Sequence, residues 1–166
     1  MEKIELRIAF TEYDHIDELV AEDQKLLEQA KQMCHSAYAP YSEFHVGAAL
    51  LLANGVVVKG NNQENIASPS GLCAERVAIF SAGANYPGIS INAMAVSCKS
   101  YSFHLSEPLS PCGACRQAMI EYENRYACDI RLILMGETGK IRIIESVKSI
   151  LPLMFNPKEL GRKEKR

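Results

Sequence analysis

Hydrophobic and polar positions along this 166-residue chain fall into blocks with two different periods. Over residues 19–37, Leu19, Leu26 and Met33 recur every seven positions, and so do Val20, Leu27 and Cys34. Two adjacent series of that kind form one stripe on a helix, so an amphipathic helix is expected there, stopped by Pro40. Next come VGAALLLA (46–53), Asn54-Gly55 and VVVKG (56–60). Asn-Gly between two apolar runs predicts a tight hairpin in which both turn residues take positive φ. CAERVAIFSAGA (73–84) reads as a helix and INAMAVS (91–97) as a buried strand. CGACRQAMIEYENRY (112–126) reads as a second such helix, followed by strands at DIRLILM (129–135) and IRII (141–144). An initial hairpin followed by alternating helices and strands predicts an α/β fold, a mixed sheet of about five strands between helix layers.

No internal repeat or Gly-, Ser- or Pro-rich linker divides the chain. One domain is expected over 1–166, with 1–18 as an N-terminal extension and GRKEKR (161–166) as a frayed tail. Hydrophobic residues make up 48% and charged residues 23%, the balance of a soluble globular protein. A net charge of −2 argues against binding nucleic acid, which calls for a basic surplus. No stretch approaches the roughly 18–20 apolar residues of a membrane span, so no membrane partner is expected. MEKIELRIAF carries acidic residues and has no long apolar segment, unlike a signal peptide, so the expected compartment is the cytoplasm. Six cysteines in such a chain are read as reduced, metal-bound or buried rather than disulfide-paired.

The cysteines carry the candidate chemistry. Cys73 opens one expected helix, and Cys112 and Cys115 open another. Helix N-termini carry unpaired N–H groups and partial positive charge, which favour thiolate, the metal-binding form. Three protein sulfurs leave the fourth tetrahedral position of Zn²⁺ for water, the catalytic rather than the structural arrangement. Glu75, two residues after Cys73, can sit beside that water and take its proton. Cys-x-Glu followed by Pro-Cys-x-x-Cys is the pattern of zinc deaminases. Three thiolates around Zn²⁺ give a net charge of −1, and Arg76 is the expected corrector, with Arg116 a second candidate. Two blander readings compete: a redox dithiol at Cys112 and Cys115, and a closed structural zinc that recruits Cys128. Cys34, Cys98 and Cys128 read as small buried hydrophobes, and the four histidines show no ligand spacing.

With these motifs in place the sequence resembles the cytidine deaminases, of the short, three-cysteine, homotetrameric class. The resemblance spans about residues 38–160 and rests on YAPYSEFHVGAAL (38–50), GNNQEN (60–65), CAER (73–76), SPCGACRQ (110–117) and LPLMFNPKEL (151–160). It implies a three-layer α-β-α cytidine deaminase-like fold and a zinc cofactor held by Cys73, Cys112 and Cys115, with Glu75 as the proton shuttle. It further implies that Asn62 and Glu64 hold the ribose hydroxyls and that Phe44 walls the pyrimidine pocket, although a core Phe44 is the alternative. Ala74 and the segment 110–112 would contact the base through their backbones. Phe155 would reach a neighbouring subunit's site and stack on the base, so that the site is completed by self-association into a homotetramer. The implied reaction turns cytidine or 2′-deoxycytidine into uridine or 2′-deoxyuridine and ammonia, in pyrimidine salvage. Two departures stand out: KSYSFHLSEP (99–108) lengthens the segment between the motifs, and about twenty residues precede the usual start. Both are expected to act on subunit contacts or the pocket mouth. Rival functions are a blasticidin-type antibiotic deaminase, a polynucleotide deaminase and a zinc-stapled interaction module.

Overall fold

A computed structural model describes residues 1–155, so the 161–166 tail and the end of LPLMFNPKEL lie outside the described residues. The elements run β1 (Thr11–Tyr13), α1 (Ala21–Met33), β2 (Phe44–Leu52), β3 (Val57–Asn61), α2 (Ala74–Asn85), β4 (Ile91–Ser100), α3 (Gly113–Tyr126), β5 (Arg131–Met135) and β6 (Ile141–Ile144). The strands form one mixed sheet in the order β1-β6-β5-β4-β2-β3, in which β4 and β5 are parallel and every other pair is antiparallel. The sheet has six strands where about five were expected. The added one is β1, which lies in the N-terminal extension and pairs Thr11 with Ile143 and Tyr13 with Ile141.

The layers follow from strand alternation. Ala49 on β2 and Ala93 and Ala95 on β4 pack with Leu26, Leu27 and Ala30 of α1. Their neighbours Ala48, Leu50, Met94 and Val96 point the other way, into a core with Ala78 and Ile79 of α2 and Met119 and Ile120 of α3. The result is the expected three-layer α-β-α arrangement. Val20 departs from its stripe: as the residue capping α1 it is 64% exposed. Asp23, buried on α1, accepts two hydrogen bonds from the Arg131 guanidinium of β5, one at 2.7 Å, and fixes the helix across the sheet.

The β2–β3 turn also departs from expectation. Gly55 has φ +82° but Asn54 does not adopt positive φ. Gly55 N–H donates to Leu52 O and Leu52 N–H to Val56 O, both at 2.9 Å, which makes a three-residue loop with Gly55 in the left-handed position.

Two features place the ends of α2 and α3 together. β4 and β5 are parallel, and each follows its own helix, so the two helices lie side by side with both N-termini at the C-terminal end of those strands. In open α/β sheets that end is where ligands bind. Gly60 lets α2 approach β3: a Cβ there would lie 2.6 Å from Ala78 N and 2.7 Å from Ala74 O.

Candidate active site

Cys73 is the N-cap of α2 and Cys112 the N-cap of α3, both with extended backbone and no side-chain capping bond. Their carbonyls start the helices, accepting from Val77 N–H at 3.1 Å and Arg116 N–H at 3.0 Å, while the sulfurs take no part in capping. Cys115 lies buried in the first turn of α3. The three sulfurs lie within 4.8 Å of one another, Cys73 to Cys112 at 4.0 Å and Cys112 to Cys115 at 3.5 Å. A tetrahedral zinc with bonds of about 2.3 Å spaces its sulfurs about 3.8 Å apart. Both the donor set and its spacing therefore suit zinc. Cys34 and Cys98 are buried elsewhere, and burial pushes their thiols up to about 11 and about 12.

Cys73 is a thiol whose pKa is lowered. The Cys115 thiol, with help from Arg76, holds it down to about 5, while Cys115 itself is pushed far up beside Cys73. Arg76 Nη2 donates to Cys73 Sγ at 3.6 Å. Its Nε is buried without a partner among the described residues. Arg116 does not meet the sulfurs. Its Nε donates to Pro111 O at 2.8 Å and its Nη1 to Ile150 O at 2.9 Å, so it ties the start of α3 to the chain entering 151–155. Gln117 Nε2 continues that tie to Phe155 O at 3.0 Å, leaving the Phe155 ring 64% exposed.

Glu75 is 5% exposed on the first turn of α2. Burial raises its pKa, and the charge at Cys73 raises it further. Ala74, fully buried, opens the same turn, where backbone N–H groups have no helical partner.

A cavity of about 460 Å³ begins at Cys73 and Arg76 and runs along Asn62, Glu64 and Tyr41. That is within the usual size of a small-molecule site. Residues 62–64 form its floor through bonds to both sides: Glu64 N–H donates to Tyr38 O, and Gln63 and Leu72 exchange two bonds, all at 2.9 Å. Asn62 is largely occupied by the protein, since Oδ1 accepts from Val46 N–H at 2.7 Å and Nδ2 donates to Phe44 O at 2.9 Å. One amide N–H of Asn62 remains. The Glu64 carboxylate accepts from Tyr41 N–H at 2.9 Å, Ser42 N–H at 3.3 Å and the Ser42 hydroxyl. Ser42 is the first of these to hold its pKa below the ordinary carboxylate value. Phe44 and Glu75 are not in the lining of this cavity. Phe44 is partly buried and stacks on Phe103, with ring centroids 5.6 Å apart. Ser42 and Gln117 lie inside the motifs YAPYSEFHVGAAL and SPCGACRQ and Phe103 inside the lengthened segment 99–108, but the sequence assigned none of them a role.

A three-layer α-β-α fold with three cysteine sulfurs and a buried carboxylate at two helix N-termini defines a zinc-binding deaminase. Residues 20–128 match the family described as "Cytidine and deoxycytidylate deaminase zinc-binding region". The chain is 43% identical over 139 residues to a cytidine deaminase of Sporosarcina psychrophila, covering 83% of this chain and 94% of that one. It is 36% identical over 138 residues to the cytidine deaminase of Halalkalibacterium halodurans, covering 83% and 97%. A crystal structure of cytidine deaminase from Burkholderia pseudomallei superposes with a TM-score of 0.69 at 40% identity, over 82% of this chain and all of that one. The chain belongs to the cytidine deaminase family of zinc-dependent deaminases.

Proposed function

We propose that this protein hydrolyses the 4-amino group of cytidine and 2′-deoxycytidine, giving uridine or 2′-deoxyuridine and ammonia. The observation that carries the reading is Glu75, a buried carboxylate of raised pKa two residues from Cys73 in a three-sulfur cluster. Cys73, Cys112 and Cys115 would hold zinc, which would supply a water made acidic enough to react near neutral pH. Glu75 would take a proton from the water and deliver it to N3 of the base as the water oxygen bonds C4, and would then carry the remaining hydroxyl proton to the amine as the C4–N bond breaks. A carboxyl whose pKa is raised by burial suits that shuttle. Arg76 offsets the charge of the thiolates from its bond to Cys73.

Glu64 and the remaining N–H of Asn62 receive the ribose hydroxyls. Ala74 and the segment 110–112 present backbone groups to the base, and Phe44 walls the pyrimidine. Phe155 reaches a neighbouring copy in a homotetramer. Exposed Ile66 and Leu72 on the cavity lining, at 85% and 36%, and exposed Phe155, at 64%, support self-association. The whole chain forms one deaminase domain without nucleic-acid or membrane partners, in keeping with a net charge of −2. Thiolate metal ligands suit the reducing cytoplasm and a salvage role there.

The test offers the purified protein cytidine, 2′-deoxycytidine, cytosine and blasticidin S, and follows the absorbance change. Turnover of the two nucleosides is expected. Turnover of blasticidin S alone would replace this reading with the antibiotic deaminase.

A further inference from the structure

The segment lengthened relative to short family members is pinned along its length. Tyr101 meets His45 edge-on at 5.3 Å. The Ser102 hydroxyl donates to Glu43 Oε2 at 2.6 Å, and Glu43 holds the unusual φ of +53° directly before Phe44. The His104 ring bonds Glu137 at 3.1 Å and Thr138 at 2.8 Å, and Leu105 O accepts from Glu137 N–H at 2.8 Å. These ties to the start of β2 and to the β5–β6 turn hold Phe103 beside Phe44. Phe103 lays its ring on Phe44 with centroids 5.6 Å apart and planes 24° apart. The ring remains 52% exposed.

We propose that Phe103 is a positioning residue for the deamination, acting through Phe44. Phe103 covers one face of Phe44 and so fixes the ring that, on the proposed function, meets the pyrimidine. The stack restricts the Phe44 rotamer and keeps water from its outer face, while the Ser102–Glu43 bond steadies the strained residue that precedes it. The proposal rests on Phe44 as the wall of the base pocket.

Kinetics on cytidine for Phe103→Ala, Phe103→Tyr and Phe44→Ala, and for the double alanine variant, test it. Phe103→Ala is expected to raise KM about 3- to 10-fold, the range an aromatic pair supports, with kcat and zinc content unchanged. Phe103→Tyr restores the wild-type KM. In the Phe44→Ala background Phe103→Ala adds nothing further. An unchanged KM in Phe103→Ala, or losses that add in the double variant, overturns the proposal while leaving the deaminase reading intact. A wild-type protein inactive on cytidine overturns both.

Discussion

Glu64 keeps its charge at the cavity because the Ser42 hydroxyl and two backbone N–H groups point at its carboxylate. A carboxylate with a lowered folded pKa is ionised above its ordinary range and loses that favourable state only as pH falls through the folded value. The KM for cytidine should therefore stay flat as pH falls through the ordinary carboxylate range and rise below it. Ser42→Ala should bring the rise to higher pH, and identical profiles for the two proteins would refute the role of Ser42. Arg76→Ala should weaken zinc retention about 10- to 100-fold in a chelator competition, as loss of a partner to a ligand does elsewhere. Cys112 and Cys115 were legible in the sequence because their placement is local: an N-cap and a residue three positions on meet at any helix start, whereas Cys73 joins them through the parallel pairing of β4 and β5. Arg116 was not. Its guanidinium reaches Pro111 O and Ile150 O, and the approach of residue 150 is set by the whole fold.

The helices and the longer strands were legible at the element scale because each carries a periodic apolar face. β1 was not, because three residues with no apolar alternation become a strand only by finding β6, some 130 positions further on. The hairpin was legible as a hairpin, whereas its turn type depends on how β2 and β3 twist together. Gly60 shows the same limit: nothing nearby says that α2 will rest on it. Gly60→Ala should lower unfolding free energy by about 1–3 kcal/mol in a denaturant titration, because a Cβ would meet the α2 backbone at Ala74 and Ala78. The shift falls on the turn that carries Cys73 and Glu75, so zinc content should fall as well. Unchanged stability would mean that α2 is not seated on β3 as described.

At the scale of the whole molecule, the proposed site draws on more than one copy of the chain. Arg116 and Gln117 hold 151–155 against α3 while the Phe155 ring stands exposed. Phe155→Ala should raise the KM for cytidine and weaken the tetramer expected in light scattering. A monomeric wild type at full activity would remove Phe155 from the site. The most direct test of the central claim measures zinc and cytidine turnover in the same preparations of wild type and Glu75→Gln. The account predicts about one zinc per chain in both. Uridine should form at speed only in the wild type, with kcat of the variant lower by about 10²- to 10⁴-fold. Equal turnover in the two proteins, or a zinc-loaded wild type that leaves cytidine unchanged, would contradict it.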